Sequence, residues 1–138
     1  MKTYSISQVS EMYHLPTTTL RYYEDLGLLY DIPRKGNRRA YTQQHLDRLG
    51  SICCFKNTGM TLSELQTLFS YSEHGGDLDK IVDLLNQHCQ EVDEQLALLK
   101  QNQQHIKRKL HFYQDIRTAE QTNTPLPDWD NYRSKTFH

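Results

Sequence analysis

From Leu78 onward the apolar residues fall into step. Leu78, Leu85, Val92, Leu99, Ile106 and Tyr113 stand seven apart, and four residues after each of the first five come Val82, Cys89, Leu96, Gln103 and Leu110. Only Gln103 interrupts this a/d seam, which lasts about five heptads. A helix over residues 78–113 would be roughly 54 Å long at 1.5 Å per residue. So narrow a stripe has nothing to pack on within its own chain, so the pattern predicts pairing with a second copy. Gly75-Gly76 marks the joint ahead of it.

Before that joint the pattern is one of short, capped helices. Ser5-Ile6-Ser7-Gln8 has the form of a capping box and opens a helix with Ile6, Val9 and Met12 on its apolar stripe. His14-Leu15-Pro16 breaks that helix, Pro16 suits the first turn of the next, and Gly27 ends it just after Leu26. Two short helices across a tight turn make a helix-turn-helix pattern. Residues 28–41 lack a helical period. Asp31, Pro33 and Gly36-Asn37 are turn formers, so residues 28–30 and 39–41 are expected to be the two short strands of a hairpin, or wing. Thr42 caps a third helix with Leu46, Leu49, Ile52 and Cys53 inward, and Thr61-Leu62-Ser63-Glu64 is a second capping box that opens a fourth. The expected fold is mainly α: a winged helix-turn-helix domain with a small β wing and a second helix pair over 1–74, a coiled-coil dimerisation helix over 75–114, and a loosely ordered tail over 115–138.

Composition narrows the class. With 36 % hydrophobic residues in 138, the chain is lean for one globule, which agrees with burial against a partner chain. The formal net charge is −1, yet Arg34, Lys35, Arg38 and Arg39 crowd into six residues without an acid, which suggests a directed anion contact. No apolar run approaches the roughly 20 residues of a membrane span, and no charged-then-apolar leader opens the chain, so a cytoplasmic protein without a membrane partner is expected. Three cysteines, two of them adjacent, read as free thiols in a reducing compartment. No cysteine follows Cys89, and His105, His111 and His138 do not form a close ligand set, so neither a metal nor a cofactor is expected.

The chemistry concentrates in PTTTLRYYEDLGLL, residues 16–29. A catalytic tyrosine would need a pocket and a partner to shift its phenol, and no carboxylate–histidine set or glycine-rich phosphate loop accompanies it. The chain is not expected to be an enzyme. DNA binding needs other things, and they are present. Thr17, Thr18 and Thr19 offer small hydroxyls at a helix start, Arg21 can reach a phosphate or a guanine edge, and Tyr22 and Tyr23 carry hydroxyls on stiff stems. A basic wing would hold the flanking backbone. Leu20, Leu26 and one of the two tyrosines belong to the core on the same pattern, Glu24 and Asp25 read as surface charges, and Arg34 and Lys35 as solvated loop charges.

As an ordered set, TLRYYEDLGLL at 19–29, RAYTQQHL at 39–46 and FKNTGMTLSEL at 55–65 resemble the MerR family of bacterial transcription regulators, over roughly residues 3–113. The resemblance implies a homodimer held by an antiparallel coiled coil, with two recognition helices in successive major grooves of a pseudo-palindromic promoter. It also implies control by bending and untwisting an overlong spacer, so that RNA polymerase engages both promoter elements. Carried over residue by residue, Thr18, Arg21 and Tyr22 act from the recognition helix, Arg38, Arg39 and Tyr41 from the wing, and Lys56 on the backbone. Two positions depart from the family: Pro16, where many members have Ser or Thr, and the Arg38-Arg39 pair, where a single arginine is commoner.

Cys54, just before FKNTGM, resembles the sensing position of a MerR subgroup that responds to aldehydes and other thiol-reactive electrophiles. The helix period puts Cys53 on the buried face and turns Cys54 about 100° away; Cys89 sits in the seam as packing. A small non-covalent ligand between the tail and the dimer helix is the alternative effector. The rival functions are a DNA-architecture or excision factor, which the long seam disfavours, and a ligand-binding or protein-interaction module without DNA binding, which Arg21, Tyr22 and the wing arginines disfavour.

Overall fold

The computed structural model describes residues 2–73 and 75–138; the expected domain limit at residue 74 lies outside them. Its elements are α1 (Ile6–Tyr13), α2 (Thr17–Asp25), β1 (Arg34–Lys35), β2 (Arg38–Arg39), α3 (Gln43–Asn57), α4 (Leu62–Ser72) and α5 (Leu78–Thr122), with a 3-10 turn at Trp129–Asn131. Two compact units divide the chain, Met1–His88 and Cys89–His138.

In the first unit, local chemistry sets the helix starts. The Ser5 hydroxyl accepts from the Gln8 amide at 3.1 Å while the Gln8 side chain accepts from the Ser5 amide at 2.8 Å, a reciprocal cap worth about 1 kcal/mol. Thr61 and Glu64 repeat the device at α4. At α3 the third position of the box is His45, whose Nδ1 accepts from the Thr42 amide at 3.0 Å. Its Nε2 therefore carries the proton and donates to the Tyr30 carbonyl at 3.0 Å. Pro16 is the N-cap of α2 rather than a residue of its first turn, and among the described residues no side chain caps that end. His14, in the left-handed region at φ 53°, makes the sharp corner between α1 and α2.

The expected strand at 28–30 is absent, for a definite reason. The amides of Leu28 and Leu29 both donate to the Tyr23 carbonyl, at 2.9 and 3.2 Å, so they close the end of α2 and cannot enter a ladder. Both side chains are buried. The wing is instead the tighter hairpin β1–β2, turned by Gly36 at φ 65°. The Ala40 amide donates to the Pro33 carbonyl at 2.8 Å, and Tyr4 and Tyr41 exchange two bonds of 2.8 Å at the wing's base. Val9, Leu20, Leu49, Ile52 and Leu65 centre the core, and Ile81 and Leu84 from the start of α5 pack against it. Met12, placed on the apolar stripe of α1 by its spacing, is half exposed. Cys53, expected to be buried, is only partly so.

In the second unit α5 runs on to Thr122, past the expected end near residue 114. The tail is ordered rather than loose: Asn123 takes φ 51°, the Thr124 amide closes on the Ala119 carbonyl at 3.0 Å, and the chain returns along the helix. Phe112 meets Trp129 and Tyr132 edge-on, both at 5.3 Å. Lys109 Nζ lies 3.9 Å from the centre of the Trp129 ring. The Gln104 side chain donates to the Phe137 carbonyl at 2.6 Å and accepts from its amide at 2.8 Å, while His111 stacks on the Phe137 ring at 3.9 Å. These helix positions lie off the heptad seam. Along the seam Leu96, Leu99, Ile106, Leu110 and Tyr113 are all at least half exposed in the single chain, as are Leu78 and Val82 nearer the start of α5. Among the described residues no helix is long and apolar enough to cross a membrane.

Candidate nucleic-acid interface

Helix α2 has two faces. Leu20 and Tyr23 are buried, while Thr18, Arg21 and Tyr22, at the three- and four-residue spacing of one helix stripe, are exposed. Thr17 is half-buried beside them at the helix start. The Thr19 amide turns back to the Pro16 carbonyl at 3.0 Å, while the amides of Thr17 and Thr18 meet no side-chain acceptor at the proline N-cap among the described residues and so suit an external anion.

The wing brings the cations together. Its register sets Arg34 opposite Arg39 and Lys35 opposite Arg38, and like charges directly opposite in a ladder repel. One of the four is answered internally. Arg39 Nε donates to both carboxylate oxygens of Glu24, at 2.9 and 3.0 Å. Arg34, Lys35 and Arg38 are exposed, and among the described residues none of them forms an ion pair. A hairpin with three unanswered cations is a place for a polyanion.

Two expected DNA contacts are placed elsewhere. Tyr23 is a core residue. Tyr41 is 1 % exposed, and its hydroxyl donates to Glu24 Oε1 at 2.8 Å. Their burial removes both from direct contact with DNA and makes them supports of the surface. Glu24, expected as a surface charge, is the hub between α2 and the wing. Lys56 is exposed near the end of α3.

Burial first, and then the Glu24 hydrogen bond, raise the Tyr41 phenol well above its ordinary value. A folded pKa above the unfolded one stabilises the fold fully below the unfolded value, about 10, and that stability drains away as pH climbs from there. The urea midpoint is therefore expected to fall above about pH 10, and to fall less steeply in Tyr41→Phe, which has no phenol to ionise. An equally steep decline in the variant would contradict this. Tyr13 and Tyr23, also raised chiefly by burial, keep the variant's profile from being flat.

Cys54 is exposed on α3, whereas burial pushes the Cys53 thiol up. Among the described residues no three His, Cys, Asp or Glu side chains cluster as a metal site. Two functional supports escaped the sequence pattern. Glu24 stands four residues after buried Leu20, a spacing that could have revealed it. Arg48 reaches Leu28, Tyr30 and Phe69, contacts with no local signature.

Residues 4–72 match the family model described as MerR HTH family regulatory protein, and residues 46–109 match the one described as MerR, DNA binding. An uncharacterized HTH-type transcriptional regulator of Haemophilus influenzae is 33 % identical over 115 residues, covering 81 % of this chain and 84 % of that relative. A ZntR homolog from the same organism is 34 % identical over 94 residues, 67 % of each chain. Among solved structures, HiNmlR, described as a MerR family regulator lacking the sensor domain and bound to promoter DNA, superposes with a TM-score of 0.74 at 29 % identity, covering 88 % of this chain and 96 % of its own.

Proposed function

The chain belongs to the MerR family of HTH regulatory proteins and is a DNA-binding transcriptional regulator, and from that premise we propose that it binds a pseudo-palindromic promoter as a homodimer and controls transcription by bending and untwisting the spacer for RNA polymerase. The observation that carries this is the pairing of an exposed Thr18–Arg21–Tyr22 stripe with a wing in which Arg34, Lys35 and Arg38 have no counter-ion among the described residues. Thr17 and Lys56 add backbone contacts. The exposed seam from Leu78 to Tyr113, with Leu85, Cys89 and Val92 in register, supplies the dimer face. An excision or architecture factor would have little use for a helix of 45 residues.

The signal is a thiol-reactive electrophile acting at Cys54. Exposure of this thiol, beside a neighbour whose thiol is partly buried and harder to ionise, supports the choice. The test is run-off transcription from the promoter beside the protein's own gene, with and without an aldehyde, for wild type and Cys54→Ser. Activation of wild type alone is expected. An equal response from both proteins would transfer the role to a small ligand held between the tail and α5.

A further inference from the structure

A carboxylate close to a DNA-binding surface ordinarily repels phosphate, so removing it tightens binding. Glu24 is on α2, one turn from Arg21 and half-buried, with its side chain turned to the wing. Both of its oxygens are engaged by one nitrogen of Arg39, and Oε1 also takes the Tyr41 hydroxyl. The partner nitrogen is the informative detail. Arg39 uses Nε, the atom nearest its stem, and among the described residues its two terminal nitrogens make no hydrogen bond. A guanidinium held by Nε keeps its outer pair of N–H groups in a fixed plane, the geometry that grips a phosphate.

We infer that Glu24 is a positioning residue for DNA binding: it holds Arg39 by Nε so that the terminal nitrogens clamp one backbone phosphate at a fixed offset from Arg21 and Tyr22. The inference rests on the DNA-binding function proposed above. The buried Tyr41 hydroxyl steadies the carboxylate from the core side. Arg38, which has no such anchor, stays free to follow the groove. The wing and the recognition helix thus engage DNA as one rigid surface, and part of the ordering cost of a long arginine is met before binding.

The test uses a duplex that wild-type protein selects from a random-sequence pool, with affinity measured across a salt series. Arg39→Ala removes the clamp directly and should weaken binding about ten-fold and lower the salt slope by about one unit. Glu24→Ala and the volume-conserving Glu24→Gln should reproduce both effects, although each removes a negative charge, and Arg39→Ala combined with Glu24→Gln should lose nothing more. Arg39→Lys should not restore the slope, because one ammonium cannot face the carboxylate and the phosphate together. Circular dichroism melts identify any variant that fails to fold, and Glu24→Gln stands in if the alanine variant does. Unchanged or tighter binding by Glu24→Gln, or additive losses in the combined variant, would overturn the clamp. A wild-type protein that selects no duplex would instead overturn the DNA-binding function itself.

Discussion

Replacing Leu96 and Leu99 together by lysine is expected to leave the protein monomeric at micromolar concentration and to abolish binding to a two-half-site duplex. Both leucines lie on the seam, 50 % and 66 % exposed in the single chain. Full burial of a leucine contributes about 1.5–3 kcal/mol, and with half to two-thirds of each still to bury, two per protomer across a self-complementary interface contribute about 3–7 kcal/mol. That is a large share of the association energy of a nanomolar dimer, about 12 kcal/mol. Each lysine also brings a charge that an apolar interface cannot solvate. Leu98 is the control, since it is 58 % exposed but two residues off the seam position at Leu96; Leu98→Lys should sediment as wild type does. Sedimentation equilibrium reads the result directly. A dimer that survives the double replacement would move the interface off the heptad seam.

The second large effect is on stability. Arg48→Ala is expected to cost about 3 kcal/mol, from the hydrogen bond a charged group gives a buried carbonyl and two cation–ring contacts. Arg48 Nε donates to the Leu28 carbonyl at 2.6 Å, and its guanidinium lies 4.6 Å from the Tyr30 ring centre and 4.0 Å from that of Phe69. Its outer nitrogen is 3.7 Å from Glu73. One side chain therefore links the end of α2, the following loop and α4. Domains of this size have about 5–15 kcal/mol in total, so the loss should show as a clear fall in the urea midpoint. Arg48→Met should recover only the packing share, since it keeps a long stem but donates nothing. Equal midpoints for wild type and Arg48→Ala would mean that the loop and α4 hold without it.

What could be read from the chain in advance follows the range of the interactions involved. The caps at Ser5 and Thr61 are made by residues three apart, and both are where the sequence puts them. The faces of α2 likewise follow from the period alone, which separates Arg21 and Tyr22 from Leu20. Residue type misleads where position decides otherwise. Leu28 and Leu29 look like strand residues, but the Tyr23 carbonyl takes both amides. Glu24 looks like a solvent charge, yet its partners are fifteen and seventeen residues away on the wing. The docking of the tail was illegible for the same reason: Gln104 and Phe137 are thirty-three residues apart, and neither has a local pattern that names the other.

The chain contains one tryptophan, and it sits in the returning tail, with Lys109 over its ring and Phe112 against its edge. Emission excited at the red edge of the protein's absorption therefore comes from a single, known address. Release of the tail from α5 would move that indole from an aromatic cluster into water and shift its emission to the red, with the other helices dark at that wavelength. The tail is thus a built-in optical reporter, through which an effector, a duplex or a second copy of the chain can be watched acting on it without a label.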